Sequence, residues 1–402
     1  MQGQPRASEP PVFSFTLILM LLLAAQPIAT DLYLPALPAI ARDIGPAGNS
    51  LTLFILAFGF GQLLNGALAD HWGRRPLLLT GLMLYVASSV AAAFSPSVAW
   101  LASCRGAQGL AMAAIVVCLR AAVRDLHDAG DGPRIMAKGM SGLGVVAMVA
   151  PVVGAWVVHW LSWRWALGCM AVYGLGVYAV CFVSFRETLQ PGYAGARGSI
   201  REVFASRSFW AWTAMATMAY TGIFCFLLLS SAVYVQYLGL STLAYGWVPA
   251  SGSLVYVAST VFCRRLLRKR SPVRAVQLAS LFSLGGGGIL IAGCLFVPHA
   301  VWPLLLGHWV YALGHGVHQP CSQAGAVGDF PHLAGRAVAW SGFITMAVAF
   351  AVGQTAIRYV NDGQHFGAWP MAVPMALTAC TLFAISWFWL PRTQRLALPD
   401  GA

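Results

Sequence analysis

Asp31 lies eighteen residues into an apolar run that starts at Phe13, in the stretch IATDLYLPALPAI (28–40), and no charge precedes it in that run. An acid at the centre of a membrane helix costs ~3 kcal/mol on insertion scales, so such a residue is functional by default. The chemistry open to it is proton carriage. Burial favours the protonated carboxyl and a nearby cation favours the ionised form, so movement of a cationic partner can switch the proton on and off. Arg105 is the natural partner: counted at 1.5 Å per residue, it lies ~10 Å below the outer face, and Asp31 lies ~10–13 Å below the same face. The bland alternatives are an Arg105 that snorkels to water and an Asp31 that only packs helices. Pro27 and Pro35 stand four residues to either side of Asp31. Each removes a helix hydrogen bond and frees a carbonyl, and broken helices at membrane depth are tolerated where they line protein or a watery cavity. Asp31 is therefore expected to face a cavity.

A second constellation is GHWVYALGHGVHQP (307–320). His308 and His315 are seven apart and His318 follows three further on, which places all three on one side of a helix with Tyr311 close to the same stripe. Histidine titrates near neutrality, so the row could relay protons or bind substrate; it could equally line a cavity without a transport role. The stretch does not by itself hold a usual metal-ligand set, and no metal site is expected.

The frame for these residues is a membrane. Of 402 residues 59% are hydrophobic and 9% charged, against the ~25% charged that a soluble domain carries. Runs long enough to cross ~30 Å of hydrocarbon as helix fall at 14–38, 51–69, 77–95, 98–119, 138–160, 163–185, 209–233, 243–263, 275–297, 301–325, 337–360 and 369–390, twelve in all. The alternating ten-residue pattern of a membrane β-barrel is absent. Ala39-Ile40-Ala41 has the small-x-small form of a cleavage site, yet the preceding apolar stretch exceeds the ~7–15 residues of a signal h-region, so the first segment is read as a retained span.

The net charge of +12 sorts by loop and is not read as a nucleic-acid surface. With the N-terminus in the cytosol, 20 basic residues lie inside and only Arg42, Arg164 and Arg358 outside, so the positive-inside rule places both termini in the cytosol. The nine cysteines all fall in or at the edge of predicted spans with no CxxC spacing, which reads as packing. The longest polar interruption, 186–208, divides the chain into two halves, 1–185 and 209–402, each with six predicted spans. Equal halves joined by a cytosolic linker are the layout of transporters that bind substrate near the midplane.

Between the second and third predicted spans stands GALADHWGRRP (66–76), with an acid ending one helix, a glycine for the turn and two arginines opening the next. Gly66, Asp70, Gly73, Arg74 and Arg75 resemble, position for position, the G-x-L-x-D-x-x-G-R-[RK] signature of the major facilitator superfamily. Arg105, Gln108 and Gly109 in CRGAQG resemble its fourth-helix motif, and Pro151 and Gly154 in APVVGAW resemble its fifth-helix antiporter motif, with Ala150 and Ala155 where that motif usually has glycine. ATDLYLPALPAI, LRAAVRDLHD (119–128), RETL (186–189) and FPHLAGRAVAW (330–340) are similar to stretches of the Bcr/CflA-type drug-resistance transporters.

That resemblance implies an all-α membrane protein of twelve helices in two six-helix bundles, acting as a monomer in the bacterial inner membrane. It implies proton-driven export of small antibiotics with no cofactor beyond the proton gradient. It also implies that Tyr33, Phe58, Trp156, Tyr220, Phe224, Tyr234, Tyr256 and Trp340, in spans that commonly line the cavity of this superfamily, are candidates for the substrate pocket. Outside the loops, tails and helix ends, Asp31 is the one acid. A single carboxylate with a cation nearby favours neutral or weakly polar substrates such as amphenicols. Export of a nucleoside, sugar or amino-acid derivative is the alternative, and a membrane enzyme, for which only the histidine row could serve, fits the six-plus-six layout poorly.

Overall fold

The computed structural model describes residues 14–126, 132–189, 199–330, 333–361 and 367–395, with the side chains of 132–142, 361, 394 and 395 outside that description. Outside it, too, lie the basic residues Arg6 and Arg197, the acids Glu9, Asp128, Asp131, Asp362 and Asp400, the linker centre 190–198, and Pro331 and His332. The first half comprises α1 (Phe15–Thr30), α2 (Leu37–Asp43), α3 (Gly48–Trp72), α4 (Arg74–Ala93), α5 (Val98–Leu126), α6 (Gly132–Trp160) and α7 (Trp163–Ser184). After the linker come α8 (Ile200–Ala205), α9 (Arg207–Ser231), α10 (Thr242–Leu267), α11 (Pro272–Phe296), α12 (Val301–Gly328), α13 (Ala334–Asn361), α14 (Trp369–Ala384) and α15 (Leu390–Arg395). No β-strand occurs among the described residues.

Eleven helical segments among the described residues are long and apolar enough to cross a membrane. The predicted tenth span is the difference. It forms the 28-residue α12, but His308, His315, His318, Gln319 and Gln323 make it more polar than its neighbours. Serine starts several helices by taking an otherwise unpaired first-turn N–H: Ser14 Oγ accepts from Leu17, Ser206 Oγ from Phe209, Ser241 Oγ from Ala244 and Ser271 Oγ from Arg274.

The first span is not one helix. α1 stops at Thr30, the Tyr33 amide bonds to the Thr30 carbonyl at 3.2 Å, a single 3₁₀ turn covers Leu34–Ala36, and α2 resumes at Leu37. Pro35 and Pro38 explain this, because neither has an N–H to continue an α-helical ladder. The interruption is braced from α6: a Cβ on Gly154 would strike the backbone of Leu32, so glycine lets the two main chains touch. Gly109 plays the same part between α5 and α3, where a Cβ would meet the Phe54 carbonyl.

Two long seams join helices before the linker to helices after it: α3 runs along α13, and α6 along α10. On the first, Gln354 Nε2 donates to Thr52 Oγ1 at 2.7 Å. On the second, Gly246 faces Ala155 Cβ and the Pro151 carbonyl, where an added Cβ would stand 2.7 and 3.1 Å away. Pro151, Gly154 and Ala155 thus lie between the broken first span and α10. Gly66, in contrast, has nothing within 4 Å of where its Cβ would be, so the fold places no steric demand for glycine there.

That contrast is testable. Gly154→Val overpacks a backbone contact and is expected to cost ~1–3 kcal/mol, read as a clear drop in the thermal unfolding midpoint of the purified protein in detergent. Gly66→Ala, at an open helical position, is expected to leave the midpoint where it is or raise it slightly.

Candidate functional site

Asp31 sits at the end of α1, partly exposed, where the helix gives way. Its amide bonds to the Pro27 carbonyl at 2.7 Å and its Oδ1 lies 2.8 Å from Thr30 Oγ1. Thr30 Oγ1 is also 3.1 Å from the Gln26 carbonyl. A hydroxyl has one hydrogen to give, so these two contacts compete. With Asp31 ionised, Thr30 donates to the carboxylate; with Asp31 protonated, the acid donates to Thr30, whose own hydrogen is then free for Gln26. The other groups within Coulombic reach of Asp31 are Tyr220 of α9 and Tyr245 of α10. The carboxylate therefore faces helices beyond the linker.

Arg105 does not pair with Asp31 in this conformation. It is fully buried, which also excludes snorkelling. Its Nη2 donates to the Ala29 carbonyl at 2.8 Å and its Nη1 to Gln108 Oε1 at 2.5 Å, while Gln108 Nε2 donates to Ser89 Oγ at 2.7 Å. The guanidinium carbon lies 4.4 Å from the Tyr33 ring centre and 4.5 Å from that of Phe54, and cation–π contacts strengthen to ~2 kcal/mol or more when desolvated. Tyr33 is held in turn by Ser50 Oγ at 2.7 Å. The sequence expectation of a direct ion pair fails for a geometric reason: Arg105 grips the main chain of the first span two residues before Asp31, and the Asp31 carboxylate bonds to Thr30 instead.

The histidines of α12 come together with aromatic partners. His308 stacks on Phe226 with ring centres 3.4 Å apart and 8° between planes. His315 lies against Tyr256 at 5.4 Å. His318 is fully buried with neither ring nitrogen bonded to another group of the chain. Tyr311 shares its hydroxyl with Thr378 Oγ1 at 3.0 Å. Among the other candidates, Tyr220 stacks on Phe224 at 6.2 Å, Phe58 on Phe54 at 6.5 Å, and Tyr234 meets Phe226 edge-on at 6.5 Å.

Two aromatic candidates sit apart from the others. Trp156 is 57% exposed, on the α6 face that also carries Val149, Val153 and Trp160, and Val149 and Val153 line an open cavity with Ile28 and Leu32 of the first span. Trp340 packs edge-on against Phe204 of α8 at 5.1 Å and Phe343 at 6.0 Å, so it binds α13 to the short linker helix. Residues that sequence reasoning passed over include Phe54, Phe226 and Tyr245, which is fully buried and bonded to Ser230 Oγ at 2.8 Å. Nothing in their local sequence separates them from ordinary core aromatics; only the fold puts them beside Arg105, His308 and Asp31.

The loop between α3 and α4 is a closed electrostatic knot. Arg74 is fully buried and reaches Asp70 Oδ1 at 2.8 Å and Asp125 Oδ2 at 3.1 Å. Arg75 donates to the Phe185 and Phe182 carbonyls at 2.8 and 2.9 Å. Gly73 has φ +95°, a conformation side chains rarely adopt, and a Cβ there would also stand 2.5 Å from Glu187. That carboxylate accepts backbone N–H bonds from Arg74, Arg75, Thr188 and Leu189 at 2.9–3.1 Å. The end of α7 is thereby clamped to the start of α4.

An all-helical bundle crossed by apolar spans, with a carboxylate held at a break in the first of them, belongs to the multi-pass membrane proteins that move solutes. The sequence model of the Major Facilitator Superfamily matches residues 19–354, and the chain belongs to that superfamily, whose members are transporters rather than enzymes. It is 27% identical over 376 residues to a chloramphenicol resistance protein of Pseudomonas aeruginosa, covering 89% of this chain and 86% of that one. It is 28% identical over 320 residues to the multidrug resistance protein MdtM of Escherichia coli K12, covering 76% and 77%. These relatives agree with the Bcr/CflA-type resemblance. The crystal structure of a D-xylose–proton symporter superposes with a TM-score of 0.75 over 94% of this chain and 98% of that one, at 15% identity, a likeness of fold alone.

Glu187 lies outside the spans and reports on the knot. Burial pushes its pKa up, but the four backbone donors outweigh this and hold it below the ordinary glutamate range. A lowered folded-state value means stabilisation that is present above the unfolded value of ~4.3 and is lost as pH falls through the folded value. Hydrogen exchange at residues 73–75 and 188–189, corrected for intrinsic rate, is expected to stay flat from neutral pH down to ~4.3 and to accelerate below it. Glu187→Ala is expected to accelerate the same amides already at neutral pH.

Proposed function

We propose that the chain is a proton-coupled exporter of small drugs, taking neutral or weakly polar antibiotics such as amphenicols out across the bacterial inner membrane. Twelve spans form two six-helix halves, 1–185 and 209–402, around a cytosolic linker at 186–208, with both termini in the cytosol. The seams support this layout: counting α12 as the tenth span, the second span pairs with the eleventh and the fifth with the eighth, the exchange a twofold relation between halves produces. Alternating access is then a rocking of the halves about those seams.

The observation that carries the reading is the placement of Asp31. It is the acid furthest from either end of its span, it lies at a helix break, and it faces Tyr220 and Tyr245 of the opposite half. Protonation would reset the Thr30 hydrogen bond at that break, and Arg105 would hold the adjacent backbone through Ala29 in either state. Gly66, Asp70, Gly73, Arg74 and Arg75 would serve the conformational change, with Gln108, Gly109, Pro151 and Gly154. Tyr33, Phe58, Tyr220, Phe224, Tyr234, Tyr256, His308, Tyr311, His315 and His318 would line the drug path; their aromatic faces suit a mostly apolar ligand. Drug resistance in the named relatives supports the substrate class.

The test uses inside-out vesicles with an acidified lumen. Adding an amphenicol to wild-type vesicles is expected to release lumenal protons, and Asp31→Asn is expected to abolish that release while leaving drug binding to the purified protein within a few-fold of wild type. Equal release from the variant would remove Asp31 as the proton carrier. A response to nucleosides, sugars or amino-acid derivatives in place of amphenicols would turn the reading to metabolite export.

A further inference from the structure

We propose that Cys263 of α10 and Cys321 of α12 form a two-thiolate site for a soft, closed-shell metal ion of the Ag⁺ or Cu⁺ type, one that ties these two helices together. The cysteines are 58 residues apart in sequence, yet their Sγ atoms lie 4.0 Å apart. Both side chains are nearly sealed, 2% and 4% exposed. Two metal–thiolate bonds of ~2.3 Å span 4.0 Å at an S–metal–S angle of about 120°, and a linear arrangement asks only that the sulfurs part to ~4.6 Å. The site needs no refolding to be filled.

The neighbouring turn keeps the helices at this spacing. Ser259 Oγ donates to the Leu313 carbonyl at 2.5 Å, and a Cβ on Gly316 would lie 2.6 Å from Ser259 and 3.1 Å from the Tyr256 carbonyl. The backbones therefore approach as closely as glycine allows just before the two thiols. Binding is M⁺ + 2 RSH → M(SR)₂⁻ + 2 H⁺, which leaves one negative charge. Arg264 lies within Coulombic reach of the Cys263 sulfur, and Arg265 follows it at the same basic end of α10, so the complex has cations beside it.

The ligand count selects the metal. Among the described residues no three of His, Cys, Asp or Glu gather to hold an ion. Zn²⁺, which takes four ligands in structural sites, lacks its set, whereas soft ions are selected by thiolates and accept two. A bound ion would join α10, which forms the seam with α6, to α12, which carries the histidine row.

Purified full-length protein in detergent, loaded with Ag⁺ in excess glutathione and desalted, separates a chelating pair from single thiols. Wild type is expected to retain one Ag⁺ per chain, as is Cys380→Ser. Cys263→Ser, Cys321→Ser and the double variant are each expected to retain none, with no additivity between them. Retention by either single variant, or none by wild type, would overturn the site. X-ray absorption at the silver edge of the wild type, which needs no variant to fold, is expected to show two sulfur neighbours; one sulfur, or nitrogen in its place, would equally overturn it. No transport step enters these measurements, so their outcome is independent of the export reading.

Discussion

A helix interrupted in the middle of a membrane span leaves backbone groups that lipid cannot satisfy, and each one unsatisfied costs several kcal/mol. The bond from Arg105 to the Ala29 carbonyl answers that constraint in this protein, and much of the first half is arranged to allow it. Gln108 and the rings of Tyr33 and Phe54 hold the guanidinium without a carboxylate. Gly109 brings α5 close to α3, and Gly154 brings α6 onto the break itself. With Arg105 committed to the main chain, Asp31 is left without a counter-charge and faces the other half.

The two arginine clusters show how location decides chemistry. At the membrane edge, Arg74 is matched by Asp70 and Asp125, and Glu187 closes the loop through backbone donors. At the centre of that knot are two full ion pairs, and opening it requires separating those charges. In the interior, Arg105 is matched by a carbonyl, an amide and two aromatic faces. A buried cation broken from a carboxylate leaves a second uncompensated charge, whereas neutral partners leave none.

The second half concentrates its polarity on α12. Three histidines and Tyr311 occupy one stripe; His308 and His315 meet aromatic rings and Tyr311 a threonine across helix contacts, while His318 is buried with both ring nitrogens unbonded. Gly252 leaves room for His308 and Gly222 for the Tyr311 hydroxyl. These are positions where a side chain on the facing helix would displace the polar group, so the helix that carries the histidine row is closely fitted there.

The membrane class, the span positions, the loop motif and the isolation of Asp31 were legible in the sequence, because each rests on local quantities: apolar run length, charge per loop, and residue types at short fixed spacing. The broken first span was legible for the same reason, since proline acts on its own turn. Partner choice was not. Whether Arg105 reaches Asp31 or Ala29, whether Trp156 faces lipid or substrate, and that Cys263 lies against Cys321 all depend on helix rotation and crossing. Those follow from how glycines at Gly109, Gly154, Gly246 and Gly316 let particular backbones meet, a sum over contacts far apart in sequence. Local chemistry thus marked the candidates, and close packing alone decided what each of them touches.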